Sequence, residues 1–291
     1  MYQRHTCVSA RIFAGCRADT RAVRSRYDDA MSQAHRAGSR IAFFGGSFDP
    51  PHRGHLTVAR AARVALGLDT VLFAPVGTQP LKTHGATAGF EDRVAMTRLA
   101  IAGEPGFDLS LADAPRPSGE PNFTLETLKR LRAAVGPDCT LFCLMGADSF
   151  FNLKSWHRAA EIPFLAPFIV ASRPGQRLGE SISILQAALP PELTLEPAAH
   201  LLPQPKKAAP GATDSAPAES SLTVRAFSLM NAAGDRAPFY LLPGLNVEIS
   251  ASAIREAIRK HKSSGPLAGT AISDPLPAVV REYIAKHNLY C

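Results

Sequence analysis

Two histidines stand three residues apart in the segment His52-Arg53-Gly54-His55, directly after the turn-forming residues Asp49-Pro50-Pro51. An apolar run that starts at Ile41 precedes the turn, and a helical pattern begins near Leu56, so the sequence predicts a strand, a tight loop and a helix. The N-terminus of a helix binds phosphate through its N–H groups and its dipole. Two imidazoles beside such an end indicate chemistry on phosphate groups.

The two glycines at the end of the apolar run can be explained by the backbone conformations that glycine allows. Gly45 and Gly46 are predicted to adopt a positive φ or to let the backbone approach a ligand closely. We expect His52 and His55 to face one cavity, with Gly54 leaving room for a nucleotide between the two rings. A single histidine in this position is more often structural, whereas the pair in this setting favours a functional site.

A resemblance to a known family follows from these residues. The segment Gly45-Gly46-Ser47-Phe48-Asp49-Pro50-Pro51-His52-Arg53-Gly54-His55 resembles the G-G-x-F-D-P-x-H-x-G-H signature of the nucleotidylyltransferase superfamily. Later in the chain, Ile249-Ser250-Ala251-Ser252-Ala253-Ile254-Arg255 resembles the partner motif of that signature. The chain is most similar to the bacterial nicotinate-nucleotide adenylyltransferases, and the resemblance runs in patches from Ile41 to Tyr290.

The resemblance implies the residues that handle ATP. His52 and His55 would contact the ATP phosphates, while Lys82 and Arg255 would offset the negative charge on them. These four are the predicted catalytic residues. Leu81 stands where the family usually has a histidine beside the lysine. The full ATP-binding set carried over from the two motifs and the later Gly-Ala-Asp patch is Gly45, Gly46, Ser47, Phe48, His52, His55, Asp148, Ser250, Ser252, Ile254 and Arg255.

Two further patches concern the second substrate. Residues 121–128 resemble the P-S-Y-T-x-[DE]-T-L patch that opens a helix near the acceptor, and residues 146–156 resemble the G-A-D-[SA] patch followed by a tryptophan. Thr124 is a candidate N-cap with Thr127 at the third helical position. Trp156, the only tryptophan, would stack on a nicotinate ring or would pack in the core. The predicted acceptor-binding residues are Lys82, Thr124, Thr127 and Trp156.

The activity that the resemblance implies is transfer of adenylate from ATP to nicotinate mononucleotide, which gives deamido-NAD and pyrophosphate. Mg²⁺ would enter with ATP, because the sequence shows no dedicated metal cage. Two alternatives stay open. The chain could be another nucleotidylyltransferase that acts on nicotinamide mononucleotide, pantetheine phosphate or a cytidylyl substrate. It could also be a nucleotide-sensing module without catalysis, although the histidine pair and Arg255 count against an inert protein.

The elements that must position these residues form a repeating pattern. Short apolar strands are predicted near 41–45, 70–75, 107–111, 139–145 and 167–171. Helices are predicted near 55–66, 90–102, 124–135 and 155–162, and two more near 249–260 and 276–287. This alternation predicts an α/β fold, a Rossmann-like doubly wound parallel sheet with a C-terminal helical segment. Ligands of such sheets bind at the carboxyl ends of the strands, where Gly45 and Gly146 would emerge.

The composition divides the chain into three regions. Residues 1–39 are predicted to be a disordered basic extension, with a transit peptide as a weaker alternative. Residues 1–40 contain eight arginines and three aspartates and so carry most of the formal charge of +7, which leaves the body nearly neutral. The body therefore lacks the charge of a general nucleic-acid-binding face. Residues 40–291 are predicted to form the nucleotidylyltransferase domain, interrupted by a low-complexity insertion at about 186–236 that is rich in proline and alanine.

The remaining sequence features argue against several kinds of site and segment. Five scattered cysteines do not form a disulfide framework, and Cys139 and Cys143 lie in an apolar run without the further ligands of a zinc site. No segment has the length and hydropathy of a membrane span or a secretory signal. We therefore expect a cytoplasmic protein with small-molecule partners and neither a nucleic acid nor a membrane partner. A homo-oligomer is compatible with the sequence, which does not determine the oligomeric state.

Overall fold

The structure is a computed structural model that describes residues 37–80, 85–172, 178, 181–202, 224–245, 249–262 and 275–291. An apolar run bounded by glycine or proline forms each central strand, so these strands are short and buried. The described residues contain one eight-stranded sheet with the order β3-β2-β1-β4-β5-β8-β7-β6. The strands are β1 (Arg40–Gly46), β2 (Thr70–Pro75), β3 (Phe107–Leu109), β4 (Thr140–Gly146), β5 (Phe168–Ala171), β6 (Thr194–Pro197), β7 (Arg225–Met230) and β8 (Arg236–Leu242).

The sheet is parallel from β3 through β8. Strand β1 lies at its centre, where Phe43 pairs with Leu72 of β2 on one side and with Cys143 of β4 on the other. Strands β7 and β6 then extend the sheet in antiparallel fashion beyond β8. The chain leaves β1 in one direction and returns to its other side at β4, so the carboxyl ends of β1 and β4 meet at the switch point of the sheet.

Helices cover both faces of the sheet. The described helices are α1 (Arg53–Leu66), α2 (Phe90–Ile101), α3 (Thr124–Val135), α4 (Ala147–Phe151), α5 (Ile162–Leu165), α6 (Ile182–Ala188), α7 (Ala251–Lys262) and α8 (Ala278–Lys286). Phe44 packs in the core with α1 and α2, whereas its neighbour Phe43 packs on the opposite face with α3, α5 and α6. This alternation along one strand confirms the predicted doubly wound fold.

A third apolar cluster lies between α2, α7 and α8. Met96 and Ala100 of α2 contact Ile254 of α7 and Val280 of α8 in this cluster. Tyr290, which follows α8, is buried in the same cluster. The C-terminal helices predicted from the sequence therefore pack against the body of the domain and hold the second motif in place.

One prediction of secondary structure is wrong. The helix predicted at 155–162 is replaced by short 3₁₀ turns at Leu153–Ser155 and Ala159–Glu161, followed by α5. A proline at the second position of α5 suits a helix start, so regular helix begins only there. The strand predicted near 107–111 is present as β3 and ends at Leu109.

Part of the region predicted as a low-complexity insertion at 186–236 is regular structure. It contains the end of α6, all of β6 and β7, and a 3₁₀ turn at Ala199–Leu201. Phe227 of β7 is only 2% exposed, so strand β7 contributes to the core. Residues 203–223 and the predicted basic extension through residue 36 lie outside the described residues, and the division of the chain into these regions stays a prediction. Within the described ranges, no helix is both long and apolar enough to cross a membrane.

Candidate active site

A cleft of about 870 Å³ opens at the carboxyl ends of β1 and β4. Its size suits a nucleotide, because ligand sites in proteins commonly enclose about 300–1,000 Å³. Both motifs found in the sequence contribute to its walls. The predicted site residues that line it are Gly45, Gly46, Ser47, Phe48, His52, His55, Thr124, Asp148, Trp156, Ser250, Ser252 and Arg255.

The loop from β1 to α1 is shaped by aromatic packing. Phe48 has φ of 47°, a left-handed conformation that is costly for a bulky residue, yet its ring is 1% exposed and packs edge-on against Phe44. A Cβ on Gly45 would lie 2.7 Å from the Phe43 ring, and one on Gly46 would lie 3.3 Å from the Phe48 ring. Neither glycine has a positive φ. The predicted positive φ is thus wrong, and both glycines make room for phenylalanine rings; the alternative, a close approach of the backbone to a ligand, stays a prediction.

The two histidine rings do not leave a gap for a nucleotide. The rings of His52 and His55 stack with their centroids 3.8 Å apart, which corrects the prediction that a nucleotide lies between them. The backbone N–H of His52 donates to Nδ1 of His55 over 3.2 Å. In a neutral His55 ring the proton is then on Nε2, so this ring has one donor nitrogen held in a fixed orientation.

The first turn of α1 has fewer available N–H groups than the sequence suggested. The N–H of Arg53 donates to the Pro275 carbonyl, and the N–H of His55 donates to the His52 carbonyl, each over 2.9 Å. Gly54 lies between them and lines the cleft. The start of α1 therefore offers the cleft the positive end of the helix dipole together with the two imidazoles.

Arg255 reaches the cleft from the second motif. It lies in α7, and its Nη1 donates to the Asp49 carbonyl over 2.6 Å while its Nη2 donates to the Ser252 hydroxyl over 3.2 Å. Helix α7 begins at Ala251, so Ser250 stands directly before its first residue. These contacts bring a guanidinium from the end of the chain to the loop that carries both histidines.

Asp49 and Arg93 brace that loop from behind. The Asp49 carboxylate is 4% exposed and accepts hydrogen bonds from the N–H groups of Thr87 and Ala88. Arg93 of α2 donates to the carbonyls of Ala88 and Ser47. Burial lowers the pKa of the Arg93 guanidinium, and the nearby Asp49 carboxylate partly opposes this shift. Arg93 therefore positions the loop.

The opposite end of the cleft is aromatic. Trp156 is half-buried, lines the cleft and also packs against the core, so the structure combines its two predicted roles. Phe123 and His157 lie beside it with ring centroids 4.6 Å apart. Thr124 is the first residue of α3, whose N-cap is Phe123, and this placement corrects the predicted N-cap role of Thr124. The aromatic rings and the start of α3 together line this part of the cleft.

Asp148 lies on the exposed wall between these two ends. It stands in the first turn of α4, which Gly146 precedes at the N-cap position, so Asp148 does not cap this helix. Its backbone carbonyl accepts a hydrogen bond from the Asn152 side chain over 2.8 Å. The carboxylate is thus placed where a ribose or a hydrated cation could contact it.

Three predicted site residues are not among the residues that line the cleft. The Thr127 hydroxyl donates to Asp113 over 2.7 Å and is fully buried, which corrects its predicted contact with the acceptor. Ile254 is buried in the cluster of α2, α7 and α8, so its side chain positions α7 and does not touch the cleft. Lys82 lies outside the described residues, and its role stays a prediction.

Two residues that shape the cleft, Asn122 and Gln79, were not identified from the sequence. Asn122 is 4% exposed and joins two loops of the cleft, because its amide accepts from the Thr78 N–H and donates to the Ala114 carbonyl. Gln79 accepts a hydrogen bond from the Ser47 hydroxyl. The position of Asn122, a polar residue shortly before a helix, was the available signal, but its hydrogen bond with Thr78 joins segments that are far apart in sequence.

Comparisons with known proteins agree with this geometry. A family model described as cytidylyltransferase-like matches residues 43–257. A protein of Laribacter hongkongensis named "Probable nicotinate-nucleotide adenylyltransferase" is 37% identical over 251 residues, which is 86% of this chain and 94% of that one. A protein of the same name from Gloeobacter violaceus is 46% identical over 138 residues, which is 47% of this chain and 66% of the relative.

A solved structure supports the fold. The nicotinic acid mononucleotide adenylyltransferase of Plasmodium falciparum, complexed with NaAD, superposes with a TM-score of 0.52 and covers 87% of this chain and 97% of that one. At 18% identity this likeness concerns the fold alone. The match of the family model and the similarity to the Laribacter protein over most of both chains show the family, and the chain belongs to the nicotinate-nucleotide adenylyltransferases.

Proposed function

We propose that the chain transfers adenylate from ATP to nicotinate mononucleotide and forms deamido-NAD and pyrophosphate. The observation that carries this proposal is the composition of the cleft: two histidines and Arg255 from separate motifs lie at one end, and Trp156 with Phe123 lies at the other. The first end suits a polyphosphate, and the second suits a flat pyridine ring. The name of the Laribacter relative, a nicotinate-nucleotide adenylyltransferase, describes the same reaction.

The reaction needs alignment more than covalent chemistry. A phosphate oxygen of the acceptor attacks the α-phosphorus of ATP, and the bond to the pyrophosphate oxygen breaks, so phosphorus keeps its number of bonds. A phosphate is already a competent nucleophile, and no enzyme nucleophile is required. The protein therefore has to hold the two substrates in line and to stabilise charge as pyrophosphate leaves.

His55 and Arg255 are the residues we assign to that stabilisation. Nε2 of His55 donates a hydrogen bond to a phosphate oxygen, with His52 stacked behind it as a second contact. Arg255 offers a guanidinium whose hydrogen bonds go to a carbonyl and a hydroxyl, with the Asp49 carboxylate 3.8 Å away, and a phosphate oxygen competes well with the two hydrogen-bond partners. Lys82 is proposed to add a further positive charge, and Thr124 is proposed to contact the acceptor at the start of α3.

Mg²⁺ is proposed to accompany ATP. The described part of the chain holds no group of three or more histidine, cysteine, aspartate or glutamate side chains that could bind a metal ion. The exposed Asp148 on the cleft wall fits a contact through water, and ATP oxygens would supply the direct ligands. When bound, the ion neutralises charge on the polyphosphate. The cytoplasmic location, the homo-oligomer and the lack of a nucleic-acid partner stay predictions.

A pyrophosphate-release assay with ATP tests the function. The acceptors compared are nicotinate mononucleotide, nicotinamide mononucleotide and phosphopantetheine, and chromatography identifies the product. We expect turnover with nicotinate mononucleotide to exceed that with either other acceptor. Faster turnover with phosphopantetheine, or no turnover with any pyridine nucleotide, would contradict the proposal.

A further inference from the structure

The Asp49 carboxylate accepts three hydrogen bonds, and their donors come from two separate parts of the chain. Its Oδ2 accepts the N–H of Thr87 over 2.6 Å, and its Oδ1 accepts the N–H of Ala88 over 3.1 Å. The third donor is the hydroxyl of Tyr290, which lies 2.8 Å from Oδ1. A buried carboxylate needs such donors, because burial of an uncompensated charge is costly.

Arg255 forms a long ion pair with this carboxylate and no hydrogen bond to it. Its Nη1 is 3.8 Å from Asp49 Oδ2, which is too far for a hydrogen bond, and it donates to the Asp49 backbone carbonyl. The carboxylate already has three donors, so its attraction for the guanidinium is reduced. Arg255 can therefore exchange its present contacts for phosphate oxygens of ATP.

Tyr290 reaches Asp49 through an unusual backbone path. After α8, both Asn288 and Tyr290 have positive φ, at 50° and 65°. The N–H of Leu289 between them donates to the Ile284 carbonyl, and the Tyr290 ring is 6% exposed in the cluster with Ile254. Burial and the Asp49 carboxylate raise the pKa of the phenol, so it remains a protonated donor at neutral pH.

We propose that Tyr290 is a positioning residue for ATP binding, because its hydroxyl satisfies Asp49 and thereby leaves Arg255 available to the phosphates. The inference rests on the proposed function. Without the hydroxyl, Asp49 Oδ1 keeps only the Ala88 N–H, and the carboxylate draws the nearby guanidinium toward itself. The long ion pair between Arg255 and Asp49 would then shorten, and Arg255 would have to leave a more strongly bound charged partner before it could bind ATP.

The test is Tyr290→Phe, which keeps the buried ring and removes the hydroxyl. The expected result is a rise of about two- to tenfold in KM for ATP, the range that corresponds to one hydrogen bond, with KM for nicotinate mononucleotide unchanged. Titration calorimetry with a non-hydrolysable ATP analogue should show the same loss of affinity without any turnover. Tyr283→Phe is the matched control, because that phenol also lies in the C-terminal segment and donates over 3.0 Å to an aspartate, Asp92.

A double-mutant cycle shows whether Tyr290 acts through Arg255. In an Arg255→Ala background, Tyr290→Phe should no longer change the affinity for the ATP analogue. An unchanged ATP affinity in Tyr290→Phe, or an equal loss in Tyr283→Phe, would overturn the inference, and so would a full effect that persists in the Arg255→Ala background. These outcomes are separate from failure of the proposed function, which would appear as a lack of turnover in the unmodified protein.

Discussion

The orientation of His55 is set by the backbone and by aromatic neighbours. Its Nδ1 accepts from the His52 N–H, and its ring contacts the edge of the Phe48 ring with centroids 4.9 Å apart. The stacked His52 ring covers another side. These contacts limit rotation of the imidazole, so its donor nitrogen needs little reorganisation to meet charge that develops on a phosphate.

Replacement of this ring should affect chemistry far more than folding. We expect His55→Ala to lower kcat by at least about a hundredfold, the typical cost of losing one positioned donor to a transition state. Steady-state kinetics and a melting curve measure the two effects. Val64→Ala is a suitable control, because Val64 lies in the same helix and is 78% exposed. Turnover near that of the unmodified protein in His55→Ala would remove His55 from the catalytic set.

Trp156 gives a second prediction at this scale. If its ring stacks on the pyridine, Trp156→Ala should raise KM for nicotinate mononucleotide by about five- to two-hundredfold, since stacking on an aromatic side chain is worth about 1–3 kcal/mol. KM for ATP should change little. The melting temperature should also fall, because the same ring packs against the core. A loss of stability with an unchanged pyridine KM would show that the ring is purely structural.

Among the elements, those with a local signal were predicted well. The strands at 41–45 and 70–75 and the helices at 90–102 and 124–135 lie within two residues of β1, β2, α2 and α3, because each is an apolar or amphipathic run with clear end signals. Strand β7 was missed. It pairs with β8 and buries Phe227 in the core, and neither contact follows from the proline- and alanine-rich composition of its region.

The same distinction applies to the site. The histidines and Arg255 were found because they lie in compact motifs, whereas Asn122 and Tyr290 act through partners on other loops. The stacking of His52 on His55 was also missed, since spacing in sequence does not determine how two rings orient. Contacts between distant segments therefore account for most of what the sequence could not predict.

Strand β3 allows a prediction about pH. Burial raises the pKa of the Asp108 carboxyl above its ordinary value of 3.8. The folded state thus binds the proton more tightly than the unfolded state, and ionisation of Asp108 costs stability above the folded pKa. Asp108→Asn should raise the melting temperature at pH 7, by about 2–4 °C for each kcal/mol recovered, and this gain should shrink as the pH falls toward 3.8.

The amide can keep the one hydrogen bond that matters, because Oδ1 of Asp108 accepts the Leu109 N–H. Glu126→Gln is the opposite case: a hydrogen bond from Lys129 lowers the pKa of Glu126, so this variant should bring no gain at pH 7. Melting curves at several pH values compare the two variants. A gain for Asp108→Asn that does not depend on pH would contradict the linkage.

At the scale of the whole molecule, the structure shows which part of the predicted insertion at 186–236 contains regular elements that a linker cannot replace. We expect substitution of residues 204–222 by a short Gly/Ser linker to leave turnover within a few-fold, because their composition resembles a linker. Substitution of 196–234 should instead abolish folded protein, since it removes β7 and the buried Phe227. Thermal melting curves and steady-state kinetics of both variants test these two expectations. Loss of activity after replacement of residues 204–222 would contradict this expectation and would show that those residues contribute to folding or to turnover.

The pairing of β8 also has a consequence for the speed of folding. Ile41 pairs with Leu141 and Phe168 pairs with Phe239, so the parallel strands meet only after long stretches of chain have closed. Contacts of this kind slow folding. The antiparallel pair β7 and β8, by contrast, is joined by a turn at Asn231–Asp235 and can form by itself within microseconds. This hairpin would then dock on β5 as a unit, which makes that docking a candidate for the late step of refolding. Lengthening the segment before β7 should slow that step very little, because the cost of closing a loop rises only with the logarithm of its length.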